Sequence, residues 1–462
     1  MNFAGRKVLV LGLGDTGLSM AKWLARRGAD VRVADTRAAP PRLADLRRSL
    51  PGVAAHCGQH REDIFAGINL IAISPGVPLA EPGVSRAMAA GVPVVGDVEL
   101  FARALPAAGR PKIVAITGTN GKTTVTALAG AMARAAGADC EVAGNISPAV
   151  LDALLRCEEE KRAPGLWVLE LSSFQLETTS SLGADAATVL NLSEDHLDRY
   201  RGLNEYAAAK ARIFQGGGVQ VLNRDDSRSL SMALPGRKTI SFGLDAPPRA
   251  EDWGLIESGG EKWLAQGSDM LLRAGEIRLA GLHNAANALA ALALCREVGL
   301  PCAPLLAALR EFKGLPHRVE LVGEASGVRW YDDSKGTNVG STVAALAGLA
   351  RGGAKIVLIA GGEGKEQDFS PLKSAVARSA RSMVLIGRDA PLIESAVAGA
   401  GVPVRRAASM DEAVVLSAAQ ARAGDIVLLS PACASFDMFR DYRHRGDVFR
   451  AAVQSLIHAR TH

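Results

Sequence analysis

The chain has 462 residues, with 53 basic and 48 acidic side chains, a net charge of +5, 48% apolar residues and only 4% aromatic ones. So balanced a charge, with no block of one sign, argues against nucleic acid as a partner, and no run of about 18 uncharged apolar residues is present to span a membrane. At roughly 150 residues per domain the length suggests about three domains with aliphatic cores.

The six cysteines form no C-x-x-C pair and read as reduced thiols, the usage of a cytoplasmic protein. Lys7–Leu11 already reads as a buried strand, so no signal peptide is expected. It runs into Gly12-x-Gly14-x-x-Gly17 and a helix from Leu18 to Arg27. A second strand, Asp30–Ala34, delivers Asp35 near the offset at which a dinucleotide fold places a ribose-binding acid. This is a Rossmann-like pattern, but it is weak evidence for NAD, because the same turn can hold any nucleotide diphosphate. Thr36 and Arg37 add a hydroxyl and a cation at the strand end, and a further strand, Leu70–Ile73, ends in Ser74-Pro75-Gly76. Ligands of open α/β sheets bind along that carboxyl edge. An Ala/Gly/Pro-rich linker near 107–111 closes a first domain, residues 1–107.

The second domain, 108–314, opens with Lys112–Thr117 and then Gly118-Thr119-Asn120-Gly121-Lys122-Thr123-Thr124, followed by an Ala/Leu-rich helical stretch from Val125 to Ala136. Strand, Gly turn and helix start surround one point with backbone N–H groups, which suits a phosphate. Lys122 would add charge near β/γ-phosphates and Thr123 a hydroxyl for Mg²⁺. Read as a strict Walker A the loop is short, since Ile116 stands where the first Gly belongs. Two more strands end in polar residues: Leu166–Leu171 at Glu170-Leu171-Ser172-Ser173-Phe174-Gln175, and Ala187–Leu192 at Glu194-Asp195-His196. Glu170 is either a capping acid or the acidic ligand of a Mg²⁺–nucleotide site. His196, beside Asp195, is a candidate ligand. Lys210, inside helix Leu203–Phe214, reads from spacing alone as a surface lysine. Val219–Asn223 is a strand, Ala246–Gly275 an irregular or antiparallel stretch. His283, Asn284 and Asn287 at the start of helix Ala288–Val298 could contact a base or cap the helix.

The third domain, 315–462, places Arg318 and Asp333-Ser334-Lys335-Gly336-Thr337-Asn338 in polar turns, where a cation reaches phosphate or carboxylate. Strands Lys355–Gly361, Ser382–Ile386 and Asp425–Leu429 alternate with helices, so a third parallel α/β sheet is expected. Lys365 follows the first of these and Ser435 the last. The cations Lys122, Arg318, Lys335 and Lys365 suit an anionic substrate and a phosphorylated intermediate.

In combination Gly118–Thr124, Gly144-Asn145-Ile146, Glu170–Leu176, Asp195–Tyr200, His283–Asn287, His317-Arg318, Asp333–Asn338 and Ser430–Ser435 resemble the Mur ligases, and among them those that add D-glutamate. The resemblance spans essentially the whole chain. It implies an ATP-dependent ligase that phosphorylates the carboxylate of UDP-N-acetylmuramoyl-L-alanine and passes the acyl group to D-glutamate, with two Mg²⁺ and a monomer as the expected state. It implies that Gly118, Thr119, Asn120, Gly121, Lys122, Thr123 and Thr124, with Asn284, Asn287, Arg318 and Asp333, bind ATP. It places Thr123, Glu170, His196 and a carbamylated Lys210 at the metals and counts Lys122, His196, Lys210 and Lys335 as catalytic. Thr16, Asp35, Thr36, Arg37 and Ser74 would hold the uridine diphosphate. Asn145, Ser172 and Gln175 would face the muramoyl part, and Thr337, Lys365, Ser435 and Tyr442 D-glutamate. Ser147, Phe436 and Tyr442 depart from the residues usual in such enzymes at those positions.

Overall fold

The computed structural model describes residues 3–196, 199–279, 281–350 and 353–461, with no account of the side chains of 459–461. Leu197 and Asp198 of the Asp195–Tyr200 motif therefore lie outside the described residues. Three sheets follow one another along the chain. The first contains β1 (Lys7–Leu11), β2 (Asp30–Asp35), β3 (Ala54–Cys57), β4 (Leu70–Ile73) and β5 (Val94–Val95), all parallel, in the order β3-β2-β1-β4-β5. Its order reverses between β1 and β4, and the crevice at such a switch point is where an open α/β sheet receives a ligand. Gly17 makes that crevice possible. A Cβ there would stand 1.8 Å from the Gly12 carbonyl oxygen, so helix Asp15–Arg26 can approach the turn only with glycine at this position.

The second sheet has nine strands, β6 (Lys112–Thr117), β7 (Cys140–Gly144), β8 (Leu166–Glu170), β9 (Ala186–Val189), β10 (Val219–Asn223), β11 (Thr239–Phe242), β12 (Trp253–Ser258), β13 (Glu261–Gln266) and β14 (Asp269–Arg273). Their order is β14-β13-β12-β11-β10-β9-β6-β8-β7. β6 to β11 are parallel, and 246–275 supplies β12 to β14 as an antiparallel meander at one edge. β6, β8 and β9 lie side by side at the centre, so the Gly118–Thr124 loop, Glu170 and the Asn191–His196 segment all leave the same carboxyl edge.

The third sheet comprises β15 (Glu320–Ala325), β16 (Val328–Asp332), β17 (Ile356–Gly361), β18 (Ala380–Ile386), β19 (Val404–Arg406) and β20 (Ile426–Leu429), in the order β15-β16-β20-β17-β18-β19. Here the expectation of a wholly parallel sheet fails at one edge: β15 and β16 are antiparallel. The reason is local. Only Ser326 and Gly327 separate the two strands, both with positive φ (51° and 72°), and a two-residue turn of this kind can only form a hairpin.

The two seams between the sheets differ. One continuous apolar cluster runs from Phe3, Trp23 and Phe101 of the first unit to Trp167, Leu171 and Tyr206 of the second, with the Phe101 and Trp167 rings edge to face at 4.7 Å. Between the second and third units the bonds are polar: Arg318 Nη2 donates to Thr123 Oγ1 at 2.6 Å, and Asn338 Nδ2 to Asn120 Oδ1 at 3.1 Å. Apolar area excluded from water holds the first pair together, whereas exchangeable hydrogen bonds hold the second. Phe101→Ala should therefore cost about 3–5 kcal/mol of stability, read as a lowered denaturant midpoint with the third unit's own unfolding unchanged.

Candidate active site

β6 ends in a turn whose shape depends on glycine. Gly121 has φ 83°, and a Cβ on it would meet Asn287 Oδ1 at 2.6 Å, so no other residue fits between the loop and helix Leu282–Glu297. The Lys122 ammonium folds back onto its own loop and donates to the carbonyl oxygens of Gly118 (2.9 Å) and Thr119 (2.8 Å). Asn191 clamps the loop from β9: its Oδ1 accepts from the Asn120 N–H at 2.8 Å and its Nδ2 donates to the Asn120 carbonyl at 3.1 Å. Thr119 Oγ1 lies 3.2 Å from the Ser193 carbonyl oxygen and 3.4 Å from the Tyr206 hydroxyl.

Lys210 is not a surface lysine. Helix Leu203–Ala211 turns it inward, 1% exposed, where Nζ donates to the Gly118 carbonyl (2.8 Å) and Thr117 Oγ1 (3.3 Å) and lies 4.5 Å from the Tyr206 ring centre. Burial, reinforced by the neighbouring Lys122 charge, holds this amine well below the usual lysine range. Glu170 is equally buried. Its Oε1 accepts from Asn145 Nδ2 at 2.7 Å, while Oε2 has no hydrogen-bond partner among the described residues. A buried, unsatisfied carboxylate oxygen is costly in a finished core and suits a cation ligand. The His196 ring lies edge-on to Phe174 at 4.7 Å, with Nε2 3.8 Å from Asp195 Oδ2. The Lys210 amine lies in the field of Glu170, and the carboxylate, hydroxyl and imidazole groups of Glu170, Thr123 and His196 are donor types that fit a hard divalent ion.

From the third unit come Arg318, Asp333 and Lys335. Burial raises the Asp333 carboxyl to about 7, against the Ser430 hydroxyl that donates to its Oδ2 at 2.7 Å. Loss of solvent, together with the Arg318 charge, lowers Lys335 to about 8, and its Nζ sits 3.9 Å from the Tyr442 ring centre. Between these groups and the phosphate loop lies a cavity of about 410 Å³ lined by Asn120, Gly121, Thr124, Asn284, Asn287, Arg318, Asp333 and Lys335. Asn287 Nδ2 also donates to Asn284 Oδ1 at 3.1 Å.

Two further cavities lie toward the first unit. One, of about 590 Å³, gathers Thr16, Asp35, Thr36, Arg37, Ser74 and Asn145. Asp35 is fixed there: burial opposes its charge, but Arg37 Nη2 (2.6 Å) and Nε (2.8 Å) and the Leu13 and Arg37 backbone N–H groups hold it down at about 2. The other, of about 560 Å³, joins Thr16 to Asn145 and Gln175. Ser172 and Gln175 have local work as well, forming a reciprocal cap on helix Ser173–Glu177, and Gln175 Nε2 donates to the buried Asp97 at 3.1 Å. Thr337, Lys365, Ser435 and Tyr442 line none of these three cavities. They sit at the ends of β16, β17 and β20 and the start of helix Tyr442–Thr461, with Ser435 buried and Lys365 at φ 51°. Phe436 is 66% exposed.

Some participants escaped the sequence reading. Tyr206, four residues before Lys210, stands under its amine, and i,i+4 spacing on a helix was the available signal. Arg445 is 1% exposed and donates to the Ser334, Cys433 and Ala434 carbonyls, tying two site loops together. An arginine within a charged helix gives no such hint in sequence.

Models of three domains match the chain in order: Mur ligase MurD-like, N-terminal domain over residues 6–96, Mur ligase middle domain over 116–295, and Mur ligase, glutamate ligase domain over 317–433. A protein of Nitrosomonas europaea named UDP-N-acetylmuramoylalanine--D-glutamate ligase is 59% identical, covering 99% of this chain and 98% of its own. The chain belongs to the Mur ligase family. A Nitrosospira multiformis protein of the same name is 60% identical, covering 100% and 98%. The fold is shared with the solved Thermotoga maritima UDP-N-acetylmuramate-alanine ligase MurC, TM-score 0.61 at 20% identity over 97% of this chain and 99% of that one. It is also shared with MurF from Acinetobacter baumannii, TM-score 0.61 at 16% identity over 99% and 91%. In this Mur ligase the Lys335 amine should titrate near 8 rather than near 10.5, its charge complete below that pH and lost above it. ¹⁵N NMR of the side-chain amines in wild type and Lys335→Arg checks this, and a midpoint near 10.5 would contradict the geometry.

Proposed function

We propose that the chain joins D-glutamate to UDP-N-acetylmuramoyl-L-alanine with ATP, as in cell-wall precursor synthesis. The observation that carries this reading is a triphosphate-sized cavity against the phosphate loop together with two cavities that share Asn145, whose amide donates to the buried Glu170 on the strand beside that loop. The names of the relatives at 53–60% identity over the whole chain agree with it. The working units are residues 1–107 for the uridine nucleotide, 108–314 for ATP and 315–462 for the amino acid.

The chemistry follows from charge. A carboxylate is a poor electrophile, and both it and ATP are anions, so cations must allow their approach. The Gly118–Thr124 N–H groups and Lys122 hold the β/γ-phosphates, Asn284 and Asn287 face the base side, and Asp333 and Arg318 complete that cavity. Thr123 would hold one Mg²⁺, and Glu170, His196 and Lys210 a second. Bound there, Mg²⁺ supplies positive charge that offsets the phosphate oxygens. The uridine end rests on Asp35, Thr36, Arg37, Ser74 and Thr16, and the muramoyl part passes Asn145, Ser172 and Gln175 toward the loop. The alanyl carboxylate takes the γ-phosphoryl group from ATP as an acyl phosphate. D-Glutamate, its two carboxylates held among Lys365, Thr337, Ser435 and Tyr442, attacks through its amine, and phosphate leaves. Lys335 reaches from the third unit toward the charge that develops. For this the third unit closes on the second across their polar seam.

Lys210 enters as a carbamate. Its neutral amine forms an N–C bond to carbon dioxide and loses a proton, turning a cation into an anionic ligand. The low basicity that burial imposes keeps the reactive neutral form populated. All these groups come from one chain, so a monomer suffices, and a soluble nucleotide sugar places the reaction in the cytoplasm.

ADP release should require both UDP-N-acetylmuramoyl-L-alanine and D-glutamate. Release indifferent to the amino acid, or equal with L-glutamate, would sink the reading. Lys210→Ala should lose at least about 100-fold in kcat, with partial rescue by acetate or formate, and full activity would refute the carbamate.

A further inference from the structure

The cavity beside Thr16, Asn145 and Gln175 is walled by the first two units with a single exception. Among its lining residues only Arg443 comes from the third unit, from the first turn of helix Tyr442–Thr461. The other arginines of that wall are already neutralised: Arg42 pairs with Asp15 (2.5 Å) and Asp45 (3.0 Å), and Arg48 pairs with Asp45. Arg443 is exposed and makes no ion pair among the described residues. Its Nε instead donates to the Tyr442 hydroxyl at 3.2 Å, with the guanidinium 5.6 Å from that ring's centre. The same ring carries Lys335 at 3.9 Å, so one aromatic side chain orients a cation toward each cavity.

We propose that Arg443 binds the diphosphate of the nucleotide-sugar substrate, and that this contact helps hold the third unit closed over the phosphate loop. The inference rests on the substrate reading above and deepens it. Placement argues for the diphosphate. The uridine cavity and this one share Asp15, Thr16, Pro75 and Asn145, so whatever links uridine to the sugar crosses their junction, at the first turn of helix Asp15–Arg26. Backbone N–H groups of that turn favour an anion, and Arg42 already answers the Asp15 carboxylate beside them. The Arg443 guanidinium, in the field of Asp15 and Asp441 but ion-paired with neither, adds a cation from across the cavity and can take two phosphate oxygens at once. Since it is anchored in the third unit, substrate in the cavity gives that unit a reason to remain closed, with the amino acid site beside a loaded acyl donor and water excluded.

Steady-state ADP formation by wild type, Arg443→Ala and Arg443→Lys tests this, with each substrate varied in turn. The alanine variant should raise KM for UDP-N-acetylmuramoyl-L-alanine by about 5- to 10-fold and leave KM for ATP within about twofold, with the lysine variant between. Inhibition by UDP should weaken in the alanine variant while inhibition by UMP does not. An unchanged KM for the nucleotide sugar, an equal rise for ATP, or equal weakening of UDP and UMP would overturn the assignment. Failure of the underlying reading is distinguishable, because wild type itself would then not turn over UDP-N-acetylmuramoyl-L-alanine.

Discussion

Lys122, Arg318 and Lys335 are drawn out of bulk water around one buried carboxylate, Glu170, beside the Lys210 amine of lowered basicity, and each lies in the field of others of the group. Gathering like charges in a region of reduced solvent is unfavourable unless an anion belongs there. The protein limits the cost in the free state in two ways. Lys122 and Lys210 donate to carbonyl oxygens of the phosphate loop itself, and Lys335 and Lys210 are held below the usual lysine basicity. An arriving triphosphate replaces weak internal partners with strong charged ones, so the excess of positive charge becomes binding free energy for ATP and for the charge that develops during phosphoryl transfer.

The seams follow from the same requirement. On the proposed reading a long nucleotide sugar would cross from the first unit to the second, and a shared apolar core around Trp23, Phe101 and Trp167 holds those two at a fixed spacing. Asp97 adds a polar bolt through Gln175, and Glu99 another through the Ser180 and Ser181 N–H groups. The third unit meets the second through bonds that water can replace, such as Arg318 to Thr123. Arg445, buried within the third unit, makes its two site loops move as one body.

Much of the site was legible because its signals are local. A β-branched run followed by glycines, a lysine and threonines can be read within a dozen residues, and so can polar residues placed where parallel strands end. Glu170, Asp35 and Arg318 stand out as candidates in this way. The edge hairpin β15–β16 was missed because its signal is a two-residue turn at Ser326-Gly327, not a periodicity. Lys210 was undervalued on spacing alone because a lysine among alanines looks solvated; its burial against Gly118 joins residues 92 positions apart.

The amino-acid sequence by itself determined the three successive α/β units, the phosphate loop and the family to which its motifs belong. Each of these is encoded in short-range pattern and in order along the chain. The tertiary structure alone decided which charges face one another, that Glu170 keeps an oxygen without a hydrogen-bond partner among the described residues, that one seam is apolar and the other polar, and that Arg443 reaches a cavity built by the other two units. Those outcomes depend on contacts between residues as far apart as Thr123 and Arg318, 195 positions in sequence. Solvent exclusion at such contacts, and not residue type, is what shifts a lysine from solvated surface charge to buried reactive amine.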